Sequence, residues 1–125
     1  MRPSLALAIG AAFHLLVGIP LVLAPAQLLS SVGLATPPEA LIQARDTGTL
    51  AIGVGLINWL ARDAVGTPLR GLLWGNIFIR VTAMVVNIWE LAVGLIPSAV
   101  GSVFPILVGI NVALIVMFAL ALRRA

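Results

Sequence analysis

The sequence contains no cysteine, no lysine and no tyrosine, and these absences exclude several kinds of chemistry. Without cysteine, the chain cannot form disulfides, iron–sulfur clusters or zinc sites built on thiolates. Without lysine, it cannot hold retinal or pyridoxal phosphate as a Schiff base. There is no tyrosine for proton relay or radical chemistry, and the single histidine, His14, cannot supply both axial ligands of a haem.

Charged residues are also scarce. They make up 9% of the 125 residues, against about 25% in a soluble domain. Hydrophobic residues make up 62%, and the mean hydropathy is +1.20. The composition therefore predicts an integral protein of a lipid bilayer with a single domain. The net charge of +3 does not indicate a nucleic-acid partner, because the basic residues are scattered and most lie at segment ends.

Four hydrophobic segments are each near or above the ~20 residues needed to span a bilayer. They run from about 5 to 29, 40 to 61, 69 to 96 and 99 to 122, and the first is interrupted by Pro20 and Pro25. Because the loops between them are short, consecutive segments should lie antiparallel. Residues 1–125 are therefore predicted to form an all-α domain, an antiparallel bundle of four transmembrane helices. Pro105 lies inside the last segment, where it should kink the helix.

The arginines predict the orientation of this bundle. If both termini lie on one side of the membrane, five arginines share that side: Arg2, Arg62, Arg70, Arg123 and Arg124. Only Arg45 would lie near the opposite side. The positive-inside rule then places both termini in the cytoplasm, and we expect the chain to be a multi-pass protein of a bacterial inner membrane.

The third segment carries a polar stripe consisting of Asn76, Arg80, Asn87 and Glu90. Spacings of four, seven and three residues place all four side chains on one face of a helix. Lipid cannot solvate a guanidinium or a carboxylate, so the stripe must face other protein, a cavity or a ligand. An ionisable residue in a membrane helix costs roughly 3 kcal/mol or more, which makes the stripe a candidate functional site.

Matching depths along the antiparallel second and third segments brings two pairs of opposite charges within reach. These predicted ion pairs are Arg80 with Asp46, and Arg45 with Glu90. We predict a polar pocket in the middle and outer half of the bundle, and no metal site. Its predicted ligand-binding residues are His14, Asp46, Thr49, Arg80, Asn87, Glu90 and Asn111. The same residues have a structural interpretation, as ion pairs that hold helix register and, for Asn87 and Asn111 together with Asn58 and Asn76, as interhelical hydrogen bonds.

Glycines concentrate in the second segment and at the start of the third. Ala51 and Gly55 form a pair of small residues four positions apart, and Gly71 and Gly75 form a GxxxG motif. Such pairs let helices approach closely. They indicate either packing within one chain or contact between copies of the chain in a homo-oligomer.

Two short stretches carry a family resemblance. Residues 44–53, ARDTGTLAIG, and residues 58–62, NWLAR, resemble small four-helix bacterial membrane proteins of unassigned function, loosely of the DoxX-like group. The resemblance implies an accessory role in a membrane redox or quinone-linked complex. It assigns no catalytic residue to this chain.

Three functions fit these patterns. The first is a binding or accessory protein, which holds a lipid-soluble molecule such as a quinone, a pigment or an anionic lipid, or which serves as a subunit of a larger membrane complex. The second is a homo-oligomeric transporter or channel for ions or small molecules, with Asp46, Arg80 and Glu90 as its charged groups. The third is an intramembrane isomerase or cyclase that uses His14 with Asp46 or Glu90 as acid and base. The missing nucleophiles favour a protein that is not an enzyme, and the sequence identifies no cofactor.

Overall fold

The computed structural model describes residues 1–125, except for the side chain of Ala99. The described residues form five α-helices and one short 3-10 helix, with no β-strand among them, as an all-α class requires. The α-helices are α1 (Pro3–Leu23), α2 (Pro25–Ser31), α3 (Pro38–Leu60), α4 (Gly66–Ala92) and α5 (Phe104–Leu122), and the 3-10 helix (Ser98–Val100) lies between α4 and α5.

A proline divides the first predicted helix into two. α1 ends at Leu23, and Ala24 leaves the helical conformation with φ −141° and ψ 52°. Pro25 then begins α2. The ring of a proline disfavours the α conformation in the residue before it, so a single helix over 5–29 was a wrong prediction.

The last predicted helix begins later than expected. α5 starts at Phe104 rather than at 99, and Pro105 lies in its first turn. The amide that proline lacks would have no intrahelical acceptor there, so Pro105 helps to start the helix, and the predicted kink is wrong. α4 likewise ends at Ala92 rather than at 96, just before Gly94, whose φ of +74° belongs to the left-handed region favoured by glycine.

Three of the helices are long and apolar enough to cross a membrane: α1, α4 and α5. This finding supports an integral membrane protein. α3 has 23 residues but is not one of the three, because Glu39, Arg45 and Asp46 make its first half polar. Of the four helices predicted to span the membrane, three meet this criterion among the described residues.

Glycines bring α3 into close contact with α1. A Cβ added to Gly18 would lie 2.8 Å from the carbonyl oxygen of Gly48, and a Cβ on Gly48 would lie 2.8 Å from that of Gly18. A Cβ on Gly55 would lie 3.2 Å from the carbonyl oxygen of Ala11. These contacts run in opposite directions along the two helices, so α3 is antiparallel to α1, and Gly48 and Gly55 serve packing within the chain.

The GxxxG motif of α4 does not take part in such packing. A Cβ on Gly71 or on Gly75 would meet no described atom within 4 Å outside its own stretch of helix. Packing within the chain was therefore the wrong interpretation of this pair. The main partner of α4 is α5, and α3 lies mainly against α1.

The hydrophobic core joins the first half of α1 and of α4 to the last half of α5. Its buried members are Ala6, Leu7, Leu69, Leu73, Leu114, Met117, Phe118 and Ala121. Because early residues of α1 and α4 meet late residues of α5, the N-terminal ends of α1 and α4 lie at the same end of the molecule as the C-terminal end of α5. This arrangement places the first half of α4 beside α1 and α5.

Candidate functional site

The structure divides the polar stripe of α4 into three levels. Asn76 is buried against α3, Arg80 is buried between α1 and α5, and Asn87 and Glu90 are half-buried beside a cavity. The four side chains share a face as the spacing predicted, but each level has different surroundings.

At the first level, Asn76 pairs with Asn58 of α3. The amide nitrogen of Asn58 donates to the side-chain oxygen of Asn76 at 2.9 Å, and the nitrogen of Asn76 donates back at 2.8 Å. Both residues are buried, with 1% and 4% of their surfaces exposed. This reciprocal pair is the interhelical hydrogen bonding that the structural interpretation predicted for these two asparagines.

At the second level, Arg80 binds His14. Nη2 of Arg80 lies 2.9 Å from Nε2 of His14, and Nδ1 of His14 lies 2.7 Å from the carbonyl oxygen of Gly10. A guanidinium only donates hydrogen bonds, so Nε2 of His14 must accept. The imidazole proton then resides on Nδ1, which donates to Gly10, and both nitrogens of a neutral His14 are satisfied.

Arg80 has two further neighbours. Nη1 donates to the side-chain oxygen of Asn111 on α5 at 3.4 Å, and the guanidinium carbon lies 4.5 Å from the ring centroid of Phe13, a cation–π geometry. The three apolar helices thus meet at the guanidinium of Arg80, a residue that is only 7% exposed. Its Nε is buried and has no hydrogen-bond partner among the described residues.

The two predicted ion pairs are wrong. Among the described side chains, the one ion pair within 4.0 Å joins Arg62 to Asp63, at 3.8 Å. The depth argument assumed that α3 and α4 face each other along their length, whereas they meet at Asn58 and Asn76 and then pack on different helices. Arg80 consequently has neutral partners instead of Asp46, and Glu90 is not paired with Arg45.

Four of the seven predicted ligand-binding residues lie outside this cluster: Asn87 and Glu90 line the cavity of the third level, and Asp46 and Thr49 lie on α3. Asp46 and Thr49 are exposed on α3, and the hydroxyl of Thr49 donates to the carbonyl oxygen of Arg45 at 2.9 Å. His14, Arg80 and Asn111 are brought together, as the sequence predicted. The single polar pocket that the sequence predicted is therefore divided into this cluster and the cavity of the third level, and the polar half of α3 contributes to neither.

At the third level, a cavity of about 310 Å³ opens beside the last turns of α4. It is bordered by the segment between α4 and α5 and by the loop before α3. Its lining residues are Leu34, Asn87, Glu90, Leu95, Ile96, Pro97, Val100, Phe104 and Leu107. Two polar side chains of the stripe thus form part of an otherwise apolar wall.

These two polar side chains have no partner in the described part of the chain. Neither Asn87 nor Glu90 makes a side-chain hydrogen bond there, and Glu90 makes no ion pair. Polar groups that are partly withdrawn from water and unpaired are available to a ligand. The cavity and its two polar residues therefore constitute the candidate site.

Sequence reasoning missed several members of both clusters. Comparing the depth of α1 with that of α4 would have paired His14 with Arg80, since each lies near the middle of its helix. The role of Phe13 follows from that pairing, because it precedes His14. No pattern in the sequence points to Leu34 or Val100 as cavity residues, since both lie in connecting segments whose path depends on tertiary packing.

Neither a protein-family model nor a curated protein or solved structure matches this chain.

Proposed function

We propose that this chain is a membrane binding protein, which holds a lipid-soluble ligand by its polar head in the Asn87–Glu90 cavity. The observation that carries the proposal is the cavity itself, where an apolar wall is interrupted by two polar side chains without partners. Ligand sites combine such apolar walls with a few polar groups that orient the ligand.

The setting we propose is the bacterial inner membrane, with α1, α3, α4 and α5 as an antiparallel four-helix bundle and both termini in the cytoplasm. The meeting of early α1 with late α5 supports this topology, since it brings Arg2 and Arg70 toward the same end as Arg123 and Arg124. The cavity then lies at the outer end of the bundle. The DoxX-like resemblance of α3 supports an accessory role within a larger membrane complex.

Native mass spectrometry of the protein extracted with its own lipids tests the binding proposal. Leu107→Trp fills the cavity, and Leu120→Trp is the matched control, because both leucines are on α5 and both are 43% exposed. We expect a copurifying amphiphile on the wild type and on Leu120→Trp, and its loss from Leu107→Trp. An identical set of bound molecules on all three proteins would contradict the proposal.

A homo-oligomeric transporter is the second candidate, favoured by the open glycine face of α4. Gly71 and Gly75 face a groove between α3 and α4 rather than another helix of the chain. If a second copy of the chain packs in this groove, the wild type should form an oligomer in mild detergent, and Gly75→Ile should be monomeric. A strict monomer would exclude this candidate.

No observation favours the intramembrane isomerase or cyclase. That hypothesis needs a carboxylate beside His14, and His14 instead binds Arg80 and the carbonyl of Gly10. Asp46 is exposed on α3, and Glu90 belongs to the separate cavity.

A further inference from the structure

The charge of the cavity narrows the kind of ligand that would fit it. Glu90 is the one ionisable residue in its lining. The basic residue that shares its face of α4 is Arg80, ten positions away in the sequence, or roughly 15 Å along a helix. Arg80 is already bound to His14 and Asn111, so it is not the counter-ion of Glu90. The cavity therefore presents an acceptor whose charge no described side chain neutralises.

The hydrogen-bonding capacity of Glu90 and Asn87 also favours a positively charged ligand. An ionised carboxylate only accepts hydrogen bonds, so the complementary ligand group must donate them. An ammonium group donates and also supplies the missing positive charge, and the amide oxygen of Asn87 offers it a second acceptor. Phe104 adds an aromatic ring, whose face attracts cations.

The rest of the wall indicates an apolar body. Apart from Asn87 and Glu90, the lining consists of aliphatic side chains, one proline and Phe104. A volume of about 310 Å³ lies at the lower end of the range for small-molecule sites. This volume suits a polar head group with the first part of a hydrocarbon chain. A fatty acid or an anionic lipid would fit less well, because it would place its negative charge beside that of Glu90.

We infer that the cavity binds lipophilic amines, with the ammonium group on Glu90, Asn87 and the ring of Phe104 and the hydrocarbon chain against Leu107. This inference rests on the proposed function, because it names the ligand class of the same cavity.

Isothermal titration calorimetry of the whole chain in phosphatidylcholine nanodiscs tests the inference with decylamine and decanol, which share one hydrocarbon chain. Titration into nanodiscs without protein measures partition into the lipid, and that background is subtracted. Leu107→Trp fills the cavity and tests whether the probes bind there. Glu90→Gln removes the charge but keeps the shape of the side chain. Glu39→Gln is the matched control, since Glu39 is an exposed carboxylate outside the cavity lining.

We expect the wild type and Glu39→Gln to bind decylamine more tightly than decanol. Glu90→Gln should bind decylamine about tenfold more weakly and bind decanol unchanged, which also shows that the variant is folded. Suppose that Glu90→Gln and the wild type bind the two probes alike, while Leu107→Trp binds neither. The lipophilic amine is then the wrong ligand class, but the cavity remains a binding site for amphiphiles. If Leu107→Trp binds both probes as the wild type does, the cavity site itself is overturned.

Discussion

Asn76 and Asn87 are the same residue type on nearly the same face of α4, and they lie in opposite surroundings. Asn76 is 4% exposed and exchanges two hydrogen bonds with Asn58, while Asn87 is half-buried beside a cavity and has no side-chain partner in the described part of the chain. The charged members differ in the same way. Arg80 joins three helices, whereas Glu90 faces open space.

The difference shows that position in a polar stripe does not decide what a residue does. A polar side chain in a membrane helix becomes structural where a neighbouring helix supplies a partner. It becomes available to a ligand where the neighbouring helices separate. The stripe is thus a structural half, Asn76 and Arg80, followed by an open half, Asn87 and Glu90, and four predictions test this division.

Arg80→Ala should have the largest effect on stability. It removes a buried side chain, its contact with Phe13 and the donors to His14 and Asn111, and we expect a loss of about 3 kcal/mol in the free energy of unfolding. Unfolding in mixed detergent, followed by circular dichroism, measures it. Glu90→Ala is the matching variant from the open half. If both variants lost the same free energy of unfolding, the two halves of the stripe would not differ in their contribution to stability.

His14→Leu should come next. It leaves Nη2 of Arg80 without its acceptor at 2.9 Å, and hydrogen bonds to charged groups are worth about 2 kcal/mol. His14→Gln offers an amide oxygen in place of Nε2 and should restore part of the loss in the same unfolding assay. If leucine and glutamine behaved alike, the bond between His14 and Arg80 would not stabilise the fold.

Asn76→Ala should destabilise the protein by about 1 kcal/mol, as expected for one interhelical polar contact in a membrane protein. A double-mutant cycle with Asn58→Ala isolates the energy of the pair. We expect the double variant to be little worse than either single variant. Strict additivity would show that the two amides are not coupled.

Asn87→Ala and Glu90→Gln should have the smallest effects, within about 0.5 kcal/mol of the wild type, because neither side chain loses a partner within the described residues. Thermal unfolding in the same detergent checks this, with Asn76→Ala as the sensitive control. A large loss of stability in either variant would show that Asn87 or Glu90 stabilises the fold, which would contradict the division.

Many residues of the site could be predicted from the sequence, but the side chains that they contact could not. Spacing alone placed Arg80 and Glu90 on one face, and depth placed His14 and Asn111 near the middle of the membrane. The choice of Asp46 as the partner of Arg80 failed because it assumed that helices adjacent in sequence face each other throughout. The glycine contacts between α1 and α3 instead favour packing of α3 on α1, so that Asp46 lies away from Arg80.

The sequence by itself determined that this chain is helical and apolar, and that one helix carries polar groups which lipid cannot solvate, because these properties depend only on residue type and on spacing along the helix. Tertiary structure alone decided which groups are paired. Close approach at Gly18 and Gly48 aligns α3 with α1, and the connection after Gly94 forms part of the wall of the cavity beside Glu90. Whether a polar side chain is satisfied or open to a ligand depends on atoms from other helices, and no local pattern encodes their positions.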